Sequence, residues 1–122
     1  MELRCLIVDD SRRFVEAARR LLELQDVRVV GTAETGGRAL ELAAALRPDV
    51  ALVDVGLGEE SGFEVARRLE TVPVILISTR DPDDLGQLVA ASSAVGFLPK
   101  ARLSGPAIRA LLSGPGGGRP DR

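Results

Sequence analysis

The stretch LIVDDSR, residues 6–12, ends an apolar run in two adjacent carboxylates, Asp9 and Asp10. A short run rich in branched apolar residues is typical of a buried β-strand. Two like charges about 4 Å apart repel by roughly 4 kcal/mol at an effective dielectric near 20. The pair therefore needs either full hydration or a compensating cation, and the rest of the fold decides which of the two it receives.

The composition of the chain limits the classes of protein to which it can belong. The 122 residues are 45% apolar with a net charge of −2, which fits one domain with a core. We expect neither nucleic-acid nor membrane binding by this domain, because no basic excess is present. The N-terminus shows no signal-peptide pattern and no run is long enough to span a bilayer. With Cys5 expected to be a buried free thiol, these features favour a cytoplasmic location.

The hydrophobic pattern predicts five strands that alternate with five helices. The predicted strands cover residues 3–8, 27–33, 50–54, 72–78 and 95–99. The predicted helices cover 11–24, 36–46, 63–70, a part of 81–92, and 104–112, with Ser11 and Thr35 as N-caps of the first two. Because the strands are continuously apolar, we expect a doubly wound α/β fold: a five-stranded parallel sheet, (βα)5, with helices on both faces.

Two further segments are predicted to lie outside the helices and strands. Residues 56–62, GLGEESG, are predicted to form a loop. The Gly/Pro-rich residues 114–122 are predicted to form a flexible tail after a domain that covers 1–113.

The predicted strand ends bring chemically reactive side chains to one edge of the sheet. In open parallel sheets, ligands bind at the carboxyl ends of the strands. Those ends carry Asp9, Asp10, Asp54, Ser78 and Lys100. Three carboxylates there cannot all stay ionised without a cation, and a small set of oxygen ligands favours Mg²⁺. A metal ion and a lysine beside a carboxylate suit phosphoryl chemistry, in which an aspartate can become an aspartyl phosphate.

Four motifs on successive strand ends resemble the receiver domain of two-component response regulators. They are VDD (8–10), LVDVGLGEESG (52–62), ILIST (75–79) and GFLPK (96–100). The resemblance covers residues 3 to about 112 and implies the flavodoxin-like fold of the chemotaxis regulators. The GFLPK form is most similar to receivers that carry a helix-turn-helix output domain.

The resemblance gives each reactive residue an expected role. Asp54 is the implied phosphoacceptor. The implied Mg²⁺ ligands are Asp9, Asp10, Asp54 and the backbone carbonyl of Gly56. The implied phosphate-binding and switch residues are Ser78, Phe97 and Lys100, and the implied residues that tune phosphoryl lifetime are Gly56 and Arg80.

The implied function is that of a signalling switch rather than an enzyme with its own substrate. A partner histidine kinase would donate the phosphoryl group, since this chain has no histidine. Only self-phosphorylation and autodephosphorylation are expected as reactions. Phosphorylation would change the surface formed by the fourth helix, fifth strand and fifth helix, which is also the expected homodimer surface.

Two alternatives to the phosphorylation switch remain open at this point. A phosphohydrolase with an aspartate nucleophile typically needs a second acid two residues later, where this chain has Gly56. A phosphate-independent interaction module of the same fold would not need the acid, hydroxyl and lysine set. The family lysine is often followed by a cis proline. Here Ala101 follows Lys100, and a cis bond before a non-proline residue costs about 3 kcal/mol.

Overall fold

The computed structural model describes residues 2–80 and 82–113, without the side chains of residues 82–85, and the predicted tail lies outside these ranges. The strands are β1 (Leu3–Val8), β2 (Val27–Ala33), β3 (Val50–Asp54), β4 (Gly56–Leu57), β5 (Glu60–Ser61), β6 (Val74–Ser78) and β7 (Gly96–Pro99). The helices are α1 (Arg12–Leu24), α2 (Gly36–Leu46), α3 (Gly62–Arg68), α4 (Pro82–Ala90) and α5 (Gly105–Ser113), and a 3-10 turn covers Lys100–Arg102.

Five of the strands form one parallel sheet in the order β2-β1-β3-β6-β7. This order reverses direction between β1 and β3, so the carboxyl ends of these two strands flank the switch point where such sheets bind ligands. The predicted doubly wound fold is therefore confirmed, and the ends that carry the acidic residues are central in the sheet.

Helices cover both faces of the sheet, because successive strand residues point to opposite sides. On one face, Leu6 and Val8 of β1 pack in a cluster with residues of α2 and α3. On the other face, Cys5 and Ile7 pack with residues of α1 and α5. Both clusters are fully apolar along the central strands, which explains why the strands show no polar alternation in the sequence.

Helices α1 and α2 begin where the sequence predicts, each after a residue whose side-chain hydroxyl caps the helix. The Phe14 backbone N–H donates to Ser11 Oγ at 3.3 Å, and the Arg38 N–H donates to Thr35 Oγ1 at 3.2 Å. Each bond satisfies one of the N–H groups that a helix start leaves free. The Ser11 cap fixes where α1 begins relative to Asp9 and Asp10.

The structure corrects one prediction in the segment after β3. Residues 56–62 were expected to form a loop, whereas β4 and β5 form a two-residue antiparallel pair whose turn contains Gly58 at a φ of +57°. The pair is too short to produce a hydrophobic period, and its turn depends on a backbone conformation that glycine adopts without strain. Strand β6 begins at Val74 rather than residue 72, directly after Pro73, which carries no N–H group to donate.

Three smaller expectations can also be compared with the structure. The Lys100–Ala101 bond is trans, as no cis peptide bond occurs in the described part of the chain. Cys5 is a buried free thiol, and burial raises its pKa to about 12. Among the helices that the structure describes, none is both long and apolar enough to cross a membrane.

Gly62 is the residue at which the chain leaves the acidic strand end and enters α3. A Cβ there would overlap the backbone carbonyl oxygen of Asp54 and lie 2.8 Å from Val55 Cα. We predict that Gly62→Ala lowers the free energy of unfolding by about 1–3 kcal/mol, because backbone atoms must move to admit the methyl group.

Urea denaturation measures this change, and Gly37→Ala in α2 is the matched control. A Cβ at Gly37 meets nothing within 4 Å, so that variant should be neutral or gain up to about 1 kcal/mol from helix propensity. Equal stability of the two variants would contradict the prediction.

Candidate functional site

The acidic residues predicted at the strand ends converge at the carboxyl edge of the sheet. Asp9 follows β1 and Asp54 ends the neighbouring strand β3. Asp9 and Asp54 are buried, while Asp10 is exposed. One carboxylate oxygen from each of the three lies within 4.8 Å of the others. The predicted acidic cluster is therefore present, and it reaches solvent through Asp10.

Lys100 supplies positive charge to this cluster from the end of β7. Its Nζ lies 2.7 Å from Asp9 Oδ2 and 3.6 Å from Asp54 Oδ2. The lysine side chain is only 13% exposed, so the interaction is much less screened than a surface ion pair. Lys100 is the only lysine of the chain; every other basic side chain is an arginine.

The cluster has the donor set for a hard divalent cation. Asp9 Oδ1 accepts a hydrogen bond from the Ser11 backbone N–H at 2.9 Å, which orients the carboxylate. Asp9 Oδ2 is buried, and its close polar contact within the described residues is the Lys100 ammonium at 2.7 Å. A buried carboxylate oxygen with so few partners, beside two further carboxylates, can serve as a metal ligand.

The pKa of Asp54 reflects its burial and the charges around it. Burial raises the pKa of Asp54, and the negative charge of Asp9 raises it further, whereas Lys100 lowers it. Asp54 Oδ1 has one long hydrogen bond, 3.4 Å from the Gly56 N–H. At that length the bond is weak. One lysine therefore does not balance the carboxylates around it.

Ser78 lies beside these groups at the end of β6. The sheet register pairs Asp54 with Ile77 and Ser78 with Pro99, so Ser78 is located between the acidic strand end and Lys100. Ser78 is buried, and its Oγ accepts the Arg80 backbone N–H at 2.9 Å. Its hydroxyl hydrogen can therefore be donated towards the crevice.

Gly56 contacts Asp54 through its backbone, whereas Arg80 and Phe97 have no contact with the acidic cluster among the described residues. Gly56 is exposed, and a Cβ there would meet nothing within 4 Å. The Arg80 side chain is exposed beyond Ser78. Phe97 is half-buried on the edge strand β7 and packs on the face covered by α2 and α3. None of these contacts brings Phe97 or the Arg80 side chain to the carboxylates.

Two residues near the site were not predicted from the sequence. The ring centroid of Phe14, which lies in the first turn of α1, is 4.3 Å from Lys100 Nζ. Glu60 Oε1 accepts the Gly36 N–H at 2.8 Å and so ties the segment after Asp54 to the start of α2. Both contacts join residues that are far apart in the sequence, so a local sequence pattern could not predict them.

The doubly wound sheet therefore carries an acidic crevice and one lysine at its carboxyl edge. The family described as the response regulator receiver domain matches residues 5–110. The chain belongs to this family, as the four strand-end motifs had indicated.

Individual relatives agree with the family assignment. The chain is 31% identical over 104 residues to the transcriptional regulatory protein DegU of Brevibacillus brevis, covering 81% of this chain and 44% of DegU. It is 37% identical over 112 residues to a protein-glutamate methylesterase/protein-glutamine glutaminase of Geobacillus kaustophilus, covering 85% of this chain and 31% of that enzyme. This chain thus spans less than half the length of either relative.

A solved structure supports the fold independently of these sequences. The signal receiver domain of NarL from Mycobacterium tuberculosis superposes with a TM-score of 0.76 at 36% identity, covering 91% of this chain and 94% of that domain. Most of this chain therefore superposes on a receiver domain of known structure.

The raised pKa of Asp54 predicts a change in stability when its charge is removed. A carboxyl group whose pKa is higher in the folded state binds its proton more tightly there than in the unfolded chain. The contribution of Asp54 to the free energy of unfolding therefore falls as the pH rises from the pKa of the unfolded chain to the higher pKa of the folded state. At pH 7, in a metal-free buffer with EDTA, we predict that Asp54→Asn raises the thermal midpoint.

Glu59→Gln is the control for this prediction, because it removes the same charge at a nearby exposed position. Its midpoint should stay close to that of the wild type. An Asp54→Asn midpoint at or below the wild-type value would show that the ionised Asp54 is stabilised by its surroundings rather than penalised.

Proposed function

We propose that this receiver domain is a switch controlled by phosphorylation of Asp54. The single observation that carries the proposal is the arrangement of Lys100 between two carboxylates, 2.7 Å from Asp9 and 3.6 Å from Asp54. Lys100 already pairs closely with Asp9, while the more distant Asp54 carries a raised pKa. Adding a phosphoryl group to Asp54 would give the ammonium a second strong acceptor.

In the proposed transfer, the crevice supplies the nucleophile and the groups that bind the phosphoryl oxygens, and the donor supplies the leaving group. A carboxylate oxygen of Asp54 attacks phosphorus, the bond from phosphorus to the imidazole nitrogen of a phosphohistidine breaks, and its electron pair stays on that nitrogen. Lys100 neutralises charge on the phosphoryl oxygens, and the Ser78 hydroxyl donates a hydrogen bond to one of them. The donor histidine comes from a partner kinase, since this chain has none.

We propose that Mg²⁺ is the cation for which the acidic cluster is built. Asp9, Asp10, Asp54 and the backbone carbonyl of Gly56 would hold it. Support comes from the clustered carboxylates, the buried Asp9 Oδ2 and the unbalanced charge at Asp54. When bound, such an ion neutralises charge on a phosphoryl group. The oxygen ligands and the lack of histidine fit a hard cation better than zinc.

The output surface in this proposal is the face formed by α4, β7 and α5. Strand β7 is an edge of the sheet and all of its residues are half-buried, so a partner can reach it. Its register places Pro99 beside Ser78 and Phe97 beside Leu76, which links this edge to the crevice. Phosphorylation would draw Ser78 towards the phosphoryl group and let Phe97 change rotamer. The face would then change its preference for a partner or for a second copy of the domain.

We further propose that the domain is not an enzyme towards external substrates and acts in the cytoplasm. Gly56 stands where an aspartate-based phosphohydrolase typically needs its second acid. The relatives include transcriptional regulators and methylesterases, and the chain matches only part of each. The output therefore depends on the protein in which this receiver is used. The phosphate-independent module stays the second candidate.

An intact-mass measurement after treatment with acetyl phosphate and Mg²⁺ tests the phosphoacceptor. We expect the wild type to gain one phosphoryl group, and we expect Asp54→Asn and an EDTA-treated sample to gain none. A gain in Asp54→Asn would assign the acceptor to another residue. If the wild type gains none from acetyl phosphate or from a phosphorylated histidine kinase, the phosphate-independent module becomes the better reading.

Arg80 offers a test of how the phosphoryl group is protected once formed. Its backbone N–H donates to Ser78 Oγ, and its side chain is exposed two residues after Ser78. We predict that Arg80→Ala changes the rate of phosphoryl loss while leaving the yield of phosphorylation intact, because the backbone N–H is kept. Arg68→Ala is the matched control, as this exposed arginine ends α3. Identical decay in Arg80→Ala and wild type would remove Arg80 from the site.

A further inference from the structure

Phe14 contacts the ammonium group of Lys100 from the first turn of α1. The Lys100 Nζ lies 4.3 Å from the centroid of the Phe14 ring. This distance is within the range in which the negative face of an aromatic ring attracts a cation. Phe14 is half-buried and packs against the cluster on the α1 and α5 side of the sheet, so the ring is held in place.

Four residues contact one another in a ring: Asp9, Ser11, Phe14 and Lys100. Asp9 Oδ1 accepts from the Ser11 N–H at 2.9 Å, and Ser11 Oγ accepts from the Phe14 N–H at 3.3 Å. The Phe14 ring then meets Lys100, whose Nζ returns to Asp9 Oδ2 at 2.7 Å. The start of α1 therefore fixes both the carboxylate and the ring between which the ammonium lies.

We propose that Phe14 is a positioning residue for Lys100 in phosphoryl transfer. The ring attracts the ammonium without competing for it as a hydrogen-bond acceptor. It therefore limits where Nζ can lie while leaving its N–H groups free for oxygen. This inference rests on the proposed phosphorylation of Asp54, but the contact itself does not depend on that function.

The low exposure of Lys100 strengthens the argument. A lysine side chain has four flexible bonds and loses rotamer entropy when its end is fixed. Asp9 alone would leave the ammonium with a single fixed neighbour. The ring provides a second fixed point, so the ammonium can exchange Asp9 for a phosphoryl oxygen without leaving the site.

Lys100 is the only lysine, so selective isotope labelling of lysine gives a single set of side-chain NMR signals. We expect the ε-methylene protons of Lys100 to be shifted upfield by the ring in the metal-free wild type. Phe14→Tyr should keep this shift, whereas Phe14→Leu should lose it. Phe63→Leu is the matched control, since Phe63 is half-buried on α3 and packs on the opposite face of the sheet. An unshifted wild-type signal would overturn the inference whether or not Asp54 is phosphorylated.

The rate of phosphorylation by acetyl phosphate tests the role of the contact. Phe14→Leu should react about 3- to 10-fold more slowly than wild type, since it keeps apolar bulk but has no ring face. Phe14→Tyr should restore the rate. In a Lys100→Met background, Phe14→Leu should cause no further loss, because the ring acts through the ammonium.

The outcomes separate this inference from the function on which it rests. An unchanged rate in Phe14→Leu, or an equal loss in the Leu and Tyr variants, would overturn the positioning role while leaving Asp54 as acceptor. A wild type that gains no phosphoryl group would instead overturn the proposed function, and the positioning role in transfer with it. If Phe14→Leu does not fold, Phe14→Met provides a flexible apolar replacement for both measurements.

Discussion

The structure depends on the balance of charge between Lys100 and the carboxylates of Asp9 and Asp54. One ammonium group, largely shielded from water, lies between two buried carboxylates and near a third. Such a site costs free energy when it is empty, because each carboxylate loses hydration and the charges do not cancel. The raised pKa of Asp54 expresses that cost. A cation that binds the carboxylates would reduce this excess of negative charge, whereas an added anion would increase it.

The fold makes this arrangement possible by bringing distant parts of the sequence to one edge. The buried strands contribute only their last residues to the crevice, and the apolar remainder anchors them in two clusters. Asp9 and Asp54 therefore have little freedom to move apart and relieve their repulsion. Gly62 reinforces this constraint, because only a residue without Cβ lets the start of α3 pass so close to the Asp54 carbonyl.

The central strands, two helix starts and the charged residues of the site could be predicted from the sequence, each for its own physical reason. The central strands are buried on both faces, so their apolar runs are unambiguous, and Ser11 and Thr35 provide local cap signals. The acidic residues and Lys100 were identifiable because strand ends share an edge in a parallel sheet. The roles assigned to them came from the family resemblance. The β4 and β5 pair was not predicted, because strands of two residues are too short to show the alternation of apolar and polar residues that marks a strand.

What the sequence could not show is which side chains meet across the crevice. Phe14 has the spacing of a core residue in α1, and half-burial in the cluster fulfils that expectation. Its contact with Lys100 depends on the path of the chain after β7, 86 positions further along the sequence. Glu60 likewise had no predicted partner, yet its carboxylate caps α2 at Gly36, where a Cβ would lie 2.8 Å from Glu60 Oε2.

These two contacts have a common consequence for the crevice. One holds the lysine from the α1 side, and the other holds the segment after Asp54 from the α2 side. Both are made by side chains outside the acidic cluster, Phe14 in the first turn of α1 and Glu60 in β5. A receiver can therefore keep the same reactive residues and still differ in how firmly they are held. In this chain Phe14 contacts Lys100 and Glu60 binds the start of α2, so both side chains restrain groups around the acids.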